Sequence, residues 1–204
     1  MRTLPPGALT ALAARAVTMR DFLWLEVRDS DTQGVVPVGF WSDLGQVSAQ
    51  VIEPRTGIEV SRSFQGAGGL IGISQVPMTS NLSVQTIDIS MSQISNANEL
   101  IRAYDAKQAR VEIFRGLFAP ASLVQLAPAF PRFVGFVDEV TITTPSEGEA
   151  GDIKLTCVSH SQEMSRSNTA TRSDADQKQR APGDTFSRHA AAVGTWDIQW
   201  GNAR

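Results

Sequence analysis

Between Arg110 and Ser159 the sequence carries three runs rich in β-branched and aromatic residues, Arg110–Gly116, Phe133–Thr143 and Asp152–Ser159. Each predicts a strand. Val111, Ile113 and Leu117 alternate with Glu112 and in part with Arg115, Val140 and Ile142 with Thr141 and Thr143, and Ile153, Leu155 and Cys157 with Lys154 and Thr156. A period of two puts one face on a core and the other in water, as in antiparallel sheet. Val111, Ile113, Val140, Ile142, Ile153 and Leu155 are therefore expected to share one core, with Glu112 on the wet face. The polar stretch Thr144–Gly151 is short enough for a hairpin, whereas the connection around Pro120–Pro131 reads as a longer, proline-punctuated loop.

The same pattern recurs upstream. Phe22–Arg28 and Val35–Trp41 flank the turn residues Asp29–Gly34 and read as a hairpin, and Pro37 marks one side of its second strand as an edge. Ser48–Glu53, Ile58–Phe64, Leu70–Val76 and Leu82–Ile94 follow as further strands. Two short helices are expected. In Pro6–Arg20, Leu9, Leu12, Ala13 and Ala16 fall on one narrow face behind prolines suited to a helix start. In Asn96–Ala106, Leu100, Ile101 and Tyr104 are apolar and an asparagine is placed to cap. The expected fold is mainly β, an antiparallel barrel or sandwich. Residues 1–20 form the N-terminal helix, 21–161 the β-rich domain (one body, or two packed subdomains at 21–95 and 107–161), and 162–204 an extended arm.

That arm changes character along its length. Gln162–Asp184 is almost free of large apolar residues and mixes Arg166, Arg172, Lys178 and Arg180 with Glu163, Asp174, Asp176 and Asp184, a composition that does not fold alone. It runs into Thr195–Gly201, where Trp196, Ile198 and Trp200 are costly to leave in water. A polar tether with an apolar anchor is the physical reading. The candidate interface residues are Arg172, Asp174, Arg180, Asp184, Trp196, Ile198 and Trp200.

Chemistry-bearing motifs are sparse. A formal charge of −3 without a basic stripe argues against nucleic-acid binding. With one cysteine, Cys157, and two histidines, His160 and His189, no internal disulfide and no Cys/His zinc site is expected. Pro5, Pro6, Gly7 and Arg15 interrupt the N-terminal apolar run, against a signal peptide, and no run has the length of a membrane helix. Gly66–Gly72 lacks the Lys-Ser/Thr of a phosphate loop and leads into a strand. Cys157 and His160 stand three apart on a strand and point to opposite faces, as do the neighbours Asp138 and Glu139, so neither pair makes a nucleophile–base or acid–base couple. The expectation is a protein without catalytic activity, metal or cofactor. Trp24 and Trp41 leave a second class open, a carbohydrate-binding module or small β-domain enzyme using them as platforms.

The opening Met1–Pro5 with its helix, the strands Arg110–Gly116, Phe133–Asp138 and Ile153–Cys157, and the tail wording Arg172–Gln177, Pro182–Asp184 and Trp200-Gly201 together resemble tail-tip proteins of long-tailed phages and related gene transfer agents. The resemblance implies a virion component at the tail tip that meets copies of itself and neighbouring tail-tube and tip proteins. It implies a baseplate hub, present in three copies, or a distal tail ring, present in six. The arm and the Gly-x-Ile-x-Leu-type return strand resemble the hub more closely. Some hubs of this group hold an iron–sulfur cluster on several cysteines; the single Cys157 departs from that pattern, and no cluster is expected here.

Overall fold

The computed structural model describes residues 4–66, 70–77, 83–93, 104–147, 151–165, 173–197 and 201. Two compact units emerge, residues 1–165 and 166–204. Among its described residues the first holds a short helix, α1 (Pro6–Ala13), and nine strands: β1 (Thr18–Asp29), β2 (Val35–Trp41), β3 (Gln46–Ile52), β4 (Glu59–Gln65), β5 (Leu70–Ile73), β6 (Thr86–Ser92), β7 (Tyr104–Phe118), β8 (Gln125–Thr143) and β9 (Asp152–Ser159). A four-residue helix, α2 (Gln162–Ser165), ends it.

The strands hydrogen-bond in the order β3-β4-β2-β1-β7-β8-β9-β6-β5, and a further β3–β8 pairing, Val51 with Ala129, closes the first six into a ring. The result is a barrel with a three-stranded extension grown from β8. Long strands make this possible: β8 pairs β7 through its first part and β9 through its second. The crossing point is Gly135, which faces both Val111 and Ser159. A Cβ there would lie 2.0 Å from the Val158 carbonyl oxygen, so only glycine lets the strands approach so closely.

Two cores follow from this bend. Phe22, Trp41, Ala49, Val51, Phe64, Phe114, Phe118 and Ala129 draw on all six ring strands and fill the barrel. The opposite faces of β1 and β7, with Leu23, Leu25, Val27, Val111 and Ile113, pack against Ile87, Ile89, Met91, Ile153, Leu155 and Cys157 of β6 and β9. Strands β1 and β7 are thus covered on both faces. A small third cluster sets Ala8 and Ala11 of α1 on Leu117 and Ala127. Arg15, at φ 57°, ends that helix in the left-handed region, and Ala14 donates to the Thr10 carbonyl.

Several details differ from the sequence expectation. The Pro120–Pro131 segment is not a long loop: the turn spans Ala119–Val124, and Pro128 and Pro131 sit within β8. Register shifts at Ile113/Phe114, Arg115/Leu117 and Leu117/Phe118 absorb them, since a proline cannot donate to a regular ladder. Tyr104–Ala106, expected at the end of a helix, begin β7, while 96–103 lie outside the described residues. Of the six residues assigned to one core, Val111, Ile113, Ile153 and Leu155 are fully buried and Val140 packs against them, but Ile142 is 47% exposed at the end of β8. A bulge between Val137 and Glu139 shifts which residues face the core.

The described residues of the second unit include two short helical segments. Helix α3 (Asp174–Arg180) starts at a Ser173 cap whose hydroxyl accepts from the Asp176 amide, and a 3-10 turn follows at Val193–Thr195. Short helices therefore form within the segment read as an extended arm. Lys178 pairs with Asp174 and Arg180 with Asp176 at i,i+4 spacing, which favours the helix.

Candidate interaction surfaces

Inside the barrel the sequence places charge where a period of two predicts water. Glu112 is 2% exposed, because β7 has a core on each side. Its carboxylate accepts from Arg62 Nη1 at 2.7 Å and from Arg110 Nε at 2.8 Å. Arg62 is laid between two rings, its guanidinium carbon 4.6 Å from the Trp24 centroid and 5.7 Å from that of Phe114, and it also reaches Glu53 at 3.5 Å. Such a cluster ties β4 to β7 through directional bonds and a cation–π contact. Its side chains pack with the aromatic residues that fill this part of the barrel.

The residues weighed for catalysis fall apart. Cys157 is fully buried among apolar side chains, and burial, with a smaller effect of the Asp88 charge, pushes its thiol up to about 12, which leaves it inert. His160 is exposed in the following turn, its ring 5.2 Å from Phe136. Asp138 and Glu139 are both exposed beside the bulge. Trp41 stacks on Phe22 and donates to the Gly45 carbonyl at 2.8 Å, and Trp24 lies under Arg62, so both rings are engaged by the barrel's own residues. Among the described residues no cluster of three His, Cys, Asp or Glu is placed to hold a metal, and no helix is long and apolar enough to cross a membrane. A polar cleft of about 260 Å³ lies over Ile113 and is walled by Asp21, Arg115, Arg132 and Ser74. Its Arg115 is engaged by Asp21 through bonds of 2.8 and 3.1 Å.

The interface candidates lie in the second unit. None of its described residues is buried. Asp174 and Arg180 stand on α3 in the helix-spanning pairs given above. Asp184 accepts from the Phe186 amide and the Gln177 side chain, which hold its carboxyl below the usual carboxylate range. Trp196 is half exposed with its ring 5.5 Å from His189. Arg172, Ile198 and Trp200 lie outside the described residues. Sequence reasoning missed Phe186, which is 91% exposed. With Ala181, Ser187 and Ala190 it lines a groove of about 590 Å³ rimmed by Gln177, Arg180 and Asp184. An aromatic residue isolated in a polar segment was the available signal.

In the first unit the β7–β8 turn exposes Leu123 and Val124, at 59% and 61%. Leu126 and Leu9 are exposed nearby on β8 and α1, whose Gly7 lies against Ala127.

No protein-family model matches the sequence, and no curated protein does. The fold is similar to that of a chain in a solved structure described as the virion of a native gene transfer agent particle, with a TM-score of 0.53 and 16% identity over 83% of this chain. The match covers 50% of that chain, so this protein spans about half its length.

Proposed function

We propose that this chain is a structural component of a phage-like virion, and within it the tail-tip hub that joins the tail tube to the tip, acting by assembly and without catalysis, metal or cofactor. The barrel fold shared with a chain of a gene transfer agent virion carries this reading. Physical features of the chain agree with it. The barrel interior is filled by aromatic side chains and a satisfied ion cluster, whereas the second unit has no buried residue among those described and shows Phe186 and Trp196 to solvent. Exposed aromatic groups gain by docking on a neighbour. The partners are further copies of the chain and adjoining tail-tube and tip proteins. A particle reconstruction tests this. Density for the chain at the tail tip with threefold symmetry supports the hub, sixfold symmetry assigns it to the distal tail ring instead, and absence from the particle refutes the proposal.

A further inference from the structure

The six-stranded ring is closed unevenly. Strands β3 and β4 pair with each other along their whole length, Gln46–Ile52 against Glu59–Gln65. They meet the rest of the barrel along two seams. Among the described residues each seam holds one backbone pair, Phe40 with Gln65 on the β2 side and Val51 with Ala129 on the β8 side. By contrast, β1 pairs β7 from Thr18 to Asp29, and β7 pairs β8 from Arg110 to Phe118.

Side chains do at these seams what the ladder does elsewhere. The Gln125 side-chain amide lies along β3, accepting from the Gln50 backbone amide at 3.0 Å and donating to the Gln50 carbonyl at 2.7 Å. Arg62 reaches across the interior to Glu112, and the Phe64 ring sits 4.6 Å from that of Phe22. At the root of the hairpin the Gly45 carbonyl accepts from the Gly66 amide at 2.6 Å and from the Trp41 indole at 2.8 Å. The two ends of the hairpin are thus held to each other and to the end of β2. Gly45 has a φ of 78°, which glycine adopts without steric cost.

The two cores divide along the same line. The fully buried residues of the hairpin, Ala49, Val51 and Phe64, all belong to the barrel core. The second core draws on β1, β2 and β5 to β9, and none of its described residues comes from β3 or β4. Without the hairpin, β2-β1-β7-β8-β9-β6-β5 remains one continuous hydrogen-bonded sheet. Parts of a protein open at free energies set by the buried area and the bonds that tie each to the rest.

We infer that the β3–β4 hairpin is a hinged wall of the barrel, which swings out as a unit about its Gly45–Gly66 root while the other strands stay folded. Opening breaks the two seam pairs, the Gln125 bridge and the Arg62–Glu112 contact, and bares Phe22, Phe114 and Phe118 between the freed edges of β2 and β8. That aromatic face is costly in water, so the open form is a minor state. A detached two-stranded hairpin is marginally stable, so its own amides lose protection whenever it leaves. This device belongs to the barrel alone and goes beyond the role proposed above.

Native-state hydrogen exchange of the full-length protein, read by mass spectrometry over a series of low urea concentrations, tests it. The amides of β3 and β4 are expected to exchange together, at least about tenfold faster than those of β1 and β7 and with a weaker dependence on urea. Gln125→Ala is expected to speed β3 and β4 by about threefold to tenfold. Ile153→Val thins the second core, which the open form keeps, so it is expected to speed β1 and β7 by about threefold to tenfold and leave β3 and β4 unchanged. A disulfide between Val51→Cys and Ala129→Cys is expected to bring β3 and β4 down to the slow rate of β1 and β7, with reduction restoring the difference; the native Cys157 is buried and does not compete. One common rate for all four strands, equal acceleration of hairpin and body by Ile153→Val, no response of the hairpin to Gln125→Ala, or a closed disulfide that leaves the hairpin fast would each overturn the inference.

Discussion

Arg62 Nη1 lies 2.7 Å from Glu112 Oε2 inside the barrel, and the two side chains are 10% and 2% exposed. With Arg110 on the other carboxylate oxygen, two guanidinium groups converge on a single acid. Replacing Glu112 by Ala leaves both cations near one another in a desolvated site, and the expected loss of stability is about 3–5 kcal/mol. Urea unfolding measures it. A loss under about 1 kcal/mol contradicts the assignment of this cluster as the tie between β4 and β7.

Leu155 and Ile142 supply a paired comparison in the other core. Leu155 is fully buried, so Leu155→Ala is expected to cost about 2–5 kcal/mol. Ile142, 47% exposed past the β8 bulge, is expected to cost less than about 1 kcal/mol when cut to Ala. Equal losses at the two positions contradict the phase change at the bulge.

Gly135 is the point where β8 passes from one partner to the other. Since a methyl group would meet a backbone carbonyl at 2.0 Å, Gly135→Ala forces the strands apart and is expected to cost about 1–3 kcal/mol. Gly72, with nothing within 4 Å of its missing Cβ, serves as the control in the same thermal melt. A neutral Gly135→Ala variant contradicts the close crossing.

Cys157 gives a prediction in pH. Its thiol is raised from 9.0 to about 12 by burial, so the folded state holds the proton more tightly than the unfolded chain does. That contribution is complete below about pH 9 and is lost as pH rises toward 12. Native protein at pH 8 is expected to resist iodoacetamide, while urea-unfolded protein reacts. Stability between pH 9 and 12 is expected to fall more steeply in the wild type than in Cys157→Ala. Rapid native labelling contradicts the burial.

Much of the β architecture was legible because period-two patterning is local. The expected bounds of β2 and β9 match the observed strands residue for residue. What stayed hidden depends on distant partners. Glu112 reads as a wet-face residue until Arg62, fifty positions away, is folded beside it, and the β3–β8 pairing that closes the ring rests on Val51 and Ala129, which no spacing rule connects. The prolines of β8 read as loop because bulges that accommodate them arise only on pairing with β7. Helix α3 was legible in part. Its Asp174–Lys178 and Asp176–Arg180 spacings and the Ser173 cap were on the page, but the low apolar content of the segment dominated the reading. The same low content pointed to Asp174, Arg180 and Asp184 as surface residues and the apolar run that follows to Trp196 as an anchor, while the exposure of Phe186 needed the fold.

The central claim is that the chain is built into a virion through its second unit, and quantitative mass spectrometry of purified particles tests it most directly. Two forms are compared in the producing cells, the full chain and one ended after Ser165, the boundary between the compact units. The account predicts the full chain in a small fixed number of copies per particle, and the shortened chain folded, with the β-rich circular dichroism of the barrel, yet missing from particles. A full-length chain that stays soluble and never purifies with particles contradicts the claim.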